Sequence, residues 1–325
     1  MSIVTYENVD TPVFEIDFPR YLFANGEAGF WITYQPDHLY ADVSKTVPAV
    51  FGGGIASFDD LSGNGVTGPQ PTSTARPILR DAPARGEYDS ADDVLPRDAT
   101  LPAITDGTAI LIGRNGIWID EGYSFAGGNW SFGPTTYTGG PVGIIGVVGD
   151  MLDLVVLDRP LTEDERDRVV AYGVKRGSAG LIELGPELVV NGTFDENIDG
   201  WEPSHTDGRV TISWDDGAIR VVGPSETGGA QQRGLDLSDV FVVVEGTLVS
   251  AGNSSCIRLN NVTASGSIRF ESRSSSVAGD RIRSITYLTS TVNTTAIYLR
   301  GNSPPYDIKW DNISLRKLIM PGETP

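Results

Sequence analysis

The stretch that decides the fold is ELVVNGTFDENIDGW, residues 187–201. An apolar run leads into the turn dipeptide Asn191-Gly192, and acidic and turn residues then precede a lone Trp201. A complementary stretch, YDIKWDNISLRKL, lies at residues 306–318, where apolar and polar residues alternate as in a strand. The two stretches predict the first and last strands of one domain.

NGTFDENIDGW followed about a hundred residues later by WDNISLRKL resembles the carbohydrate-binding-module type of β-sandwich, the galactose-binding-like jelly roll. The resemblance implies such a domain at residues 186–318, followed by a disordered tail at 319–325. Short runs rich in Val, Ile, Thr and Ser fill the domain and predict two packed antiparallel sheets. These runs are RVTISW, AIRVVG, VFVVVEGTLV, CIRLNN, SIRFES, SITYLTS and TAIYLRG.

The first half of the chain carries a second ordered pattern, LFANGEAGFW, then DDLSGNG, then ARPIL. This order resembles a concanavalin-A-like domain of structural proteins from tailed bacteriophages and prophages. The resemblance implies a domain at residues 21–180. Its matching positions are Leu22, Phe23, Gly26, Glu27, Gly29, Trp31, Asp60, Ser62, Gly63, Asn64, Gly65, Arg76, Pro77 and Leu79.

The clearest helix signal is LTEDERDRVVAYGVKRG. Thr162 is predicted to cap its start, with Glu165 as the capping-box partner, and Gly177 to end it. Val169, Val170 and Val174 are expected to face the core. The predicted fold is therefore mostly β, with two β-sandwich or jelly-roll domains and one short helix that closes the first.

Residues 1–20 form a predicted N-terminal arm, in which Phe14, Ile16 and Phe18 alternate with acidic residues. The pattern indicates an edge strand, which either stays at the edge of its own domain or docks on another subunit by strand addition. Because an exposed apolar edge tends to find a partner, we expect a homo-oligomer, with a trimer as the favoured form.

Composition excludes several classes of function. Lys and Arg number 24 against 43 Asp and Glu, a net charge of −19, so binding to a nucleic-acid backbone is not expected. No apolar stretch is long enough to predict membrane insertion, and no basic-then-apolar leader opens the sequence. Cys256 is the single cysteine, which excludes an intrachain disulfide and a thiolate zinc site.

Catalytic motifs are absent from the sequence. The two histidines, His38 and His205, fall in different predicted domains, and neither a G-x-S-x-G elbow nor a Walker loop occurs. We therefore expect no enzymatic activity. Carboxylates are plentiful, however, and a glycosidase pair is defined by its separation in space, so a polysaccharide-degrading enzyme stays an alternative.

Sugar contact is expected from aromatic faces, because the C–H faces of pyranose rings pack on them. The candidates in the second domain are Trp214, Tyr287, Tyr298 and Tyr306, with core packing as the competing role of each. The resemblance to the carbohydrate-binding module also implies a structural calcium ion, with Asp195 and Asp311 as its carboxylate ligands.

Together these patterns predict a structural component of a tailed phage virion: a fibre, spike or decoration protein. It would contact other virion proteins and bind host surface polysaccharide through its second domain. The expected location is the virion, after assembly in the cytoplasm of the bacterial host. A bacterial surface lectin is a further alternative.

Overall fold

The computed structural model describes residues 18–88, 95–96, 103–125, 131–132, 149–224, 228–235, 237, 240–250, 255–261, 268–271, 275, 277–288 and 295–323. The described residues form two compact units, unit 1 up to Leu181 and unit 2 from Ile182 onward. The α-helices described are α1 (Phe18–Tyr21) and α2 (Glu163–Lys175), and short 3-10 helices span Pro36–His38 and Ser73–Ala75.

Strands make up most of both units. In unit 1 they are β1 (Gly29–Thr33), β2 (Leu39–Tyr40), β3 (Ser57–Phe58), β4 (Ile78–Arg80), β5 (Arg85–Glu87), β6 (Leu95–Pro96), β7 (Ile104–Gly113), β8 (Ile117–Phe125), β9 (Ser131–Phe132) and β10 (Met151–Leu157). In unit 2 they are β11 (Glu183–Glu187), β12 (Glu202–Pro203), β13 (Thr211–Trp214), β14 (Ile219–Gly223), β15 (Gly228–Leu235), β16 (Val240–Ser250), β17 (Ser255–Asn261), β18 (Ile268–Glu271), β19 (Asp280–Leu288), β20 (Thr295–Gly301) and β21 (Tyr306–Ile319).

Unit 1 is built on a six-stranded antiparallel sheet in the order β4-β5-β10-β7-β8, with β1 paired to β10 beside β5. Every residue of β10 is buried, as expected for an apolar central strand. β7 and β8 form a hairpin whose turn contains Asn115, with Ile112 opposite Ile117. Two small ribbons, β2-β3 and β6-β9, complete the described strands of this unit.

Helix α2 packs on one face of this sheet and begins as predicted. Thr162 Oγ1 accepts from the Glu165 backbone N–H at 3.2 Å, and the Thr162 N–H donates to Glu165 Oε2 at 2.8 Å. Val169 and Tyr172 are buried at the i, i+3 spacing of one helix face. The prediction for Val174 is wrong: it lies on the opposite face and is 49% exposed.

The prediction that Phe18 lies in an edge strand is wrong, because Phe18 begins helix α1. Pro19 suits the first turn of a helix, and the Phe18 ring lies 6.3 Å from that of Tyr172 in the core. Burial against α2 thus overrides the alternating pattern. Phe14 and Ile16 lie outside the described residues, so the role of the arm stays a prediction.

The motifs that resemble the phage domain meet in space. Asp60 Oδ1 accepts from the backbone N–H of Trp31 at 3.0 Å. The Asn64 side-chain amide donates to the carbonyls of Glu27 at 2.9 Å and Gly29 at 3.1 Å. The SGNG turn and Asp60 therefore hold the GEAGFW segment through these hydrogen bonds.

Unit 2 is an antiparallel β-sandwich. One sheet has the order β13-β14-β21-β16-β19, with β11 also paired to β21, and the other has the order β12-β15-β20-β17-β18. Alternate residues of both sheets form one core around the fully buried Trp310. Gly246 lies at an inner position of β16, where a Cβ would lie 2.6 Å from Ile313 Cδ1, so a larger residue there would make the ends of neighbouring core side chains shift.

The opening and closing stretches of unit 2 are hydrogen-bonded to each other. The Leu188 N–H donates to the Leu315 carbonyl at 3.0 Å, and the Ile313 N–H donates to the Gly192 carbonyl at 2.9 Å. Gly192 permits this close approach, because a Cβ at that position would lie 1.9 Å from the Ile313 carbonyl oxygen.

The predicted fold class is confirmed: the protein is mostly β, with antiparallel sheets and a helix in the first unit. The predicted tail begins too early, because β21 runs through Ile319, which pairs with Glu183. Met320 and Glu323 then form a hydrogen-bonded turn.

Within the described part of the chain, no helix is long and apolar enough to span a membrane.

Candidate functional site

A row of polar residues crosses the five-stranded sheet of unit 2. Glu202 of β12 lies opposite Gln231 of β15, Gln231 opposite Tyr298 of β20, and Tyr298 opposite Arg258 of β17, which in turn faces Glu271 of β18. Tyr298 and Arg258 each stand between two core residues on their strands. Because side chains alternate along a strand, the side chains of Tyr298 and Arg258 point away from the core.

Gln231 is the most unusual residue of the row. Its side chain is 0% exposed, and Nε2 donates to Glu202 Oε1 at 3.0 Å. Its amide oxygen is also buried and has no hydrogen-bond partner among the described residues. Leaving such a buried acceptor unpaired costs about 1–3 kcal/mol.

Tyr298 lies beside a second unpaired acceptor. Its hydroxyl accepts a hydrogen bond from the Asn260 side-chain amide, while burial raises the pKa of the hydroxyl above its usual value. The Asn260 amide oxygen is buried, and the described residues offer it no partner. Two buried amide oxygens on this side of the sheet, from Gln231 and Asn260, therefore have no hydrogen-bond partner among the described residues.

Charged groups surround these amides. Glu202 Oε1 forms an ion pair with Arg233 Nε at 2.7 Å. Arg300 lies two residues beyond Tyr298 on β20 and so shares its face, where it stands opposite Cys256. We call this surface the polar face; its residues are Glu202, Gln231, Arg233, Arg258, Asn260, Tyr298 and Arg300, with Glu271 placed on it by backbone register.

The structure does not bring the four predicted sugar-binding aromatics together. Tyr298 lies on the polar face, whereas Trp214 ends β13 at the edge of the other sheet. Trp214 is 44% exposed, and its Nε1 donates to the Phe194 carbonyl at 2.7 Å. Tyr287 lies in β19 of that same sheet, and its side chain lies outside the described part of the structure.

Tyr306 occupies the core position that the sequence analysis kept as its alternative role. The residue is only 3% exposed, and burial raises the pKa of its hydroxyl to about 12. Its ring fits against two glycines: a Cβ at Gly223 would lie 2.1 Å from the ring, and one at Gly301 would lie 2.5 Å from it. Tyr306 is therefore placed to pack the sandwich rather than to contact a ligand.

Asp195 and Asp311, the predicted calcium ligands, lie near each other. Burial raises the pKa of Asp311, and the negative charge of Asp195 raises it further. Asp195 Oδ2 accepts from Thr193 Oγ1 at 2.7 Å, and Asp311 Oδ1 accepts from the Asn312 N–H at 2.6 Å. Two adjacent carboxylates suit a hard cation that neutralises their repulsion.

The rest of such a calcium shell would come from other oxygens. No group of three or more His, Cys, Asp or Glu side chains suited to a metal ion occurs within the described ranges. Calcium takes about six to eight oxygen ligands, so backbone carbonyls and water would have to supply most of them. Carboxylate oxygens are the type of ligand that calcium prefers, and the bound ion stays a prediction.

Sequence reasoning missed most of the polar face. Gln231 and Arg233 lie on β15, whose sequence GGAQQRGL has no apolar alternation and was not predicted as a strand. Arg258 and Asn260 lie on the predicted strand CIRLNN, but nothing in that run alone shows which residues of other strands stand beside them. Strand register supplies that information.

Comparisons with known proteins give distant structural likenesses. No family model and no curated protein matches the sequence. The enzymatically active domain of the bacteriophage CBA120 tailspike protein 4 aligns with a TM-score of 0.32 at 15% identity, over 40% of this chain and 21% of that chain. The alignment thus spans about a fifth of the tailspike domain.

The xylan-binding CBM22-1 domain of Paenibacillus barcinonensis Xyn10C aligns with a TM-score of 0.32 at 14% identity, over 42% of this chain and 96% of that chain. The tandem CBM22-1-CBM22-2 domain of the same protein aligns with a TM-score of 0.35 at 14% identity, over 44% and 49% of the two chains. Likenesses this distant say nothing about what this chain binds.

Proposed function

We propose that unit 2 binds carbohydrate on its polar face. The observation that carries the proposal is the cross-strand row of polar residues, in which the half-buried Tyr298 lies between Gln231 and Arg258. A sugar suits such a row, because each of its hydroxyls can both donate and accept a hydrogen bond. The Tyr298 ring adds an apolar surface for a pyranose face.

We also propose that the chain is a non-enzymatic virion protein of a tailed phage, a fibre, spike or decoration protein. Unit 1 attaches to other virion proteins, and unit 2 adsorbs to host surface polysaccharide. Support for the attachment role is the ordered sequence resemblance of residues 21–180, whose motifs contact each other through Asp60 and Asn64. Assembly takes place in the cytoplasm of the bacterial host.

Binding is tested with the purified full chain against a panel of bacterial surface polysaccharides by affinity electrophoresis. We expect retardation by at least one polysaccharide, and a loss of at least tenfold in affinity for Tyr298→Ala. Trp214→Ala is the matched control, because it removes an aromatic from the other sheet and should leave affinity unchanged. Equal losses in both variants, or retardation by no polysaccharide, would contradict the proposal.

The remaining parts of the proposal have separate tests. Incubation with the bound polysaccharide should release no reducing ends, and their release would favour the alternative of a degrading enzyme. Gold-labelled antibody against the chain should decorate purified phage particles. Light scattering should give the mass of a trimer, and a monomer at high concentration would refute the predicted oligomer.

A further inference from the structure

Glu202 and Arg233 form an exposed ion pair at one end of the row that crosses the polar face. Their side chains are 52% and 51% exposed, and Arg233 Nε lies 2.7 Å from Glu202 Oε1. Trp201, the residue before Glu202, belongs to the core, so Glu202 points outward from β12. Unlike the buried amide of Gln231, this ion pair is open to a ligand.

The described contacts use only part of the hydrogen-bonding capacity of the pair. Glu202 Oε1 also accepts from Gln231 Nε2 at 3.0 Å, so both contacts of the carboxylate fall on the same oxygen. A carboxylate has about four acceptor positions, and a guanidinium has five N–H donors. Acceptor positions on Glu202 Oε2 and donors on the Nη atoms of Arg233 therefore remain for a ligand.

The ion pair lies within reach of the Tyr298 ring. Glu202 stands opposite Gln231, and Gln231 opposite Tyr298, so two strand spacings, about 10 Å, separate the backbones of Glu202 and Tyr298. Burial raises the pKa of the Tyr298 hydroxyl, while the charge of Arg233 lowers it and that of Glu202 raises it, so both charges lie near the hydroxyl. A sugar unit that packs on the ring can therefore direct its hydroxyls at the ion pair.

We propose that Glu202 and Arg233 determine the specificity of the polar face by binding two adjacent hydroxyls of a sugar unit that packs on Tyr298. One hydroxyl donates to Glu202 Oε2, and its neighbour accepts from an Nη–H group of Arg233. This inference rests on the proposed carbohydrate function and names the class of ligand, a glycan whose chain units carry adjacent free hydroxyls.

Adjacent hydroxyls match the ion pair in chemistry and in charge. Each hydroxyl both donates and accepts, whereas the carboxylate only accepts and the guanidinium only donates, so the pair fixes the direction of both hydrogen bonds. Hydrogen bonds to charged groups are roughly twice as strong as neutral ones. A site built around ligand hydroxyls also rejects analogues that lack them more strongly than an apolar site does.

The test compares neutral polysaccharides that differ in linkage. The inner units of a (1→3)-linked hexopyranose chain have free hydroxyls at C2 and C4, which are not adjacent. Those of a (1→4)- or (1→6)-linked chain have an adjacent pair at C2 and C3. Soluble (1→3)-linked glucan, galactan and mannan are each paired with a (1→4)- or (1→6)-linked polymer of the same sugar, and binding to the full chain is measured by affinity electrophoresis. We expect at least one polymer with adjacent hydroxyls to bind at least tenfold more tightly than its (1→3)-linked isomer.

Variants of the ion pair test its role directly. Glu202→Gln places N–H donors beside the acceptor, and Arg233→Met removes the donors. Each should lower the affinity for that polymer, and for any surface polysaccharide that the full chain retains, at least tenfold. The melting temperature should not change, because an exposed ion pair contributes little to stability. Tyr298→Ala should lower the affinity for both linkage isomers, since the ring packs on either.

Arg220→Gln and Asp307→Asn are the matched controls. Arg220 and Asp307 form an exposed ion pair on the other sheet of unit 2, in which Arg220 Nε donates to Asp307 Oδ1 at 2.8 Å. Their replacement should leave the affinity unchanged. Losses equal to those of Glu202→Gln and Arg233→Met would mean a general effect of surface charge and would overturn the inference.

The outcomes separate this inference from the function on which it rests. If Tyr298→Ala abolishes binding while Glu202→Gln and Arg233→Met bind as tightly as the wild-type protein, the polar face binds carbohydrate without the ion pair, and the specificity role is refuted. A bound polysaccharide whose units have no adjacent free hydroxyls refutes it as well. If neither the linkage isomers nor any surface polysaccharide binds, the proposed carbohydrate function fails together with the inference.

Discussion

Gln231 donates one hydrogen bond, from Nε2 to Glu202 Oε1 at 3.0 Å, and its own amide oxygen accepts none from the described residues. Its neighbour Gln232 is also buried but is fully engaged: Oε1 accepts from the Val190 N–H at 2.9 Å, and Nε2 donates to the Val190 carbonyl at 2.9 Å. The two adjacent glutamines thus differ. Gln232 holds the opening stretch of unit 2 through Val190, whereas Gln231 has an unpaired amide oxygen on the polar face.

This contrast predicts opposite effects of the same substitution. Gln231→Leu removes an unpaired buried oxygen and should raise the stability of unit 2 by about 1 kcal/mol. Gln232→Leu leaves the backbone N–H and carbonyl of Val190 without their side-chain partner and should lower the stability of unit 2 by about 2 kcal/mol. Calorimetry of the full chain measures both effects. A destabilised Gln231→Leu would show that this side chain serves the fold.

The strands of unit 2 were predictable where their residues are β-branched and alternate. The run VFVVVEGTLV became β16, with Val242 and Val244 facing the core. β15 was not predicted as a strand, because its glycines and glutamines have low strand propensity. It is a strand because it pairs with β12 and β20. Tertiary pairing here overrides local propensity.

The site was less predictable than the fold for the same reason. Of the four aromatics proposed from their chemistry, Tyr298 lies on the polar face, and its partners come from other strands in register. Tyr306 follows a strand pattern that resembles that of Tyr298, yet it points inward. Sequence alternation gives two faces but does not say which face is buried until the sheets pack.

Tyr306 should matter for stability. Tyr306→Ala leaves a cavity beside Gly223 and Gly301 and should cost about 3–5 kcal/mol. Trp214→Ala removes a half-exposed side chain with one hydrogen bond and should cost less, about 1–2 kcal/mol. Calorimetry of the full chain compares the two melting temperatures. A wild-type melting temperature for Tyr306→Ala would refute its core role.

Glu165 should make unit 1 sensitive to acid. The hydrogen bond from Arg159, supported by the Thr162 cap, lowers the pKa of Glu165 from 4.5 to about 2. Its contribution to stability is therefore fully present above pH 4.5 and is lost as the pH falls towards 2. Glu165→Gln should cost about 2 kcal/mol at pH 7 and almost nothing near pH 2.

Asp164→Asn provides the control for this pH dependence. Asp164 lies in the same turn but forms an exposed pair with Arg168, so its replacement should cost less than about 0.5 kcal/mol. Thermal melts from pH 2 to pH 7 compare the two variants. Equal losses at both ends of this range for Glu165→Gln would contradict the assigned cause.

Asp195 and Asp311 give the sharpest test of the predicted calcium ion. Because burial and the charge of Asp195 raise the pKa of Asp311, its ionised form costs the folded state free energy at neutral pH. Without a cation, unit 2 should gain stability as the pH falls through that raised pKa. Calcium neutralises the pair, and at a concentration of 100 Kd it should stabilise unit 2 by about 2.7 kcal/mol.

Chelation should therefore lower the melting temperature of unit 2, and excess calcium should restore it. Asp311→Asn removes the repulsion, so it should raise the melting temperature in chelator slightly and abolish the response to calcium. Asp199→Asn, an exposed acid of the same opening stretch, should keep the full calcium response. If chelator changes the melting temperature of neither the wild-type protein nor Asp311→Asn, the two acids are ordinary turn residues. Their mutual repulsion then lowers the stability of unit 2 with no cation to offset it.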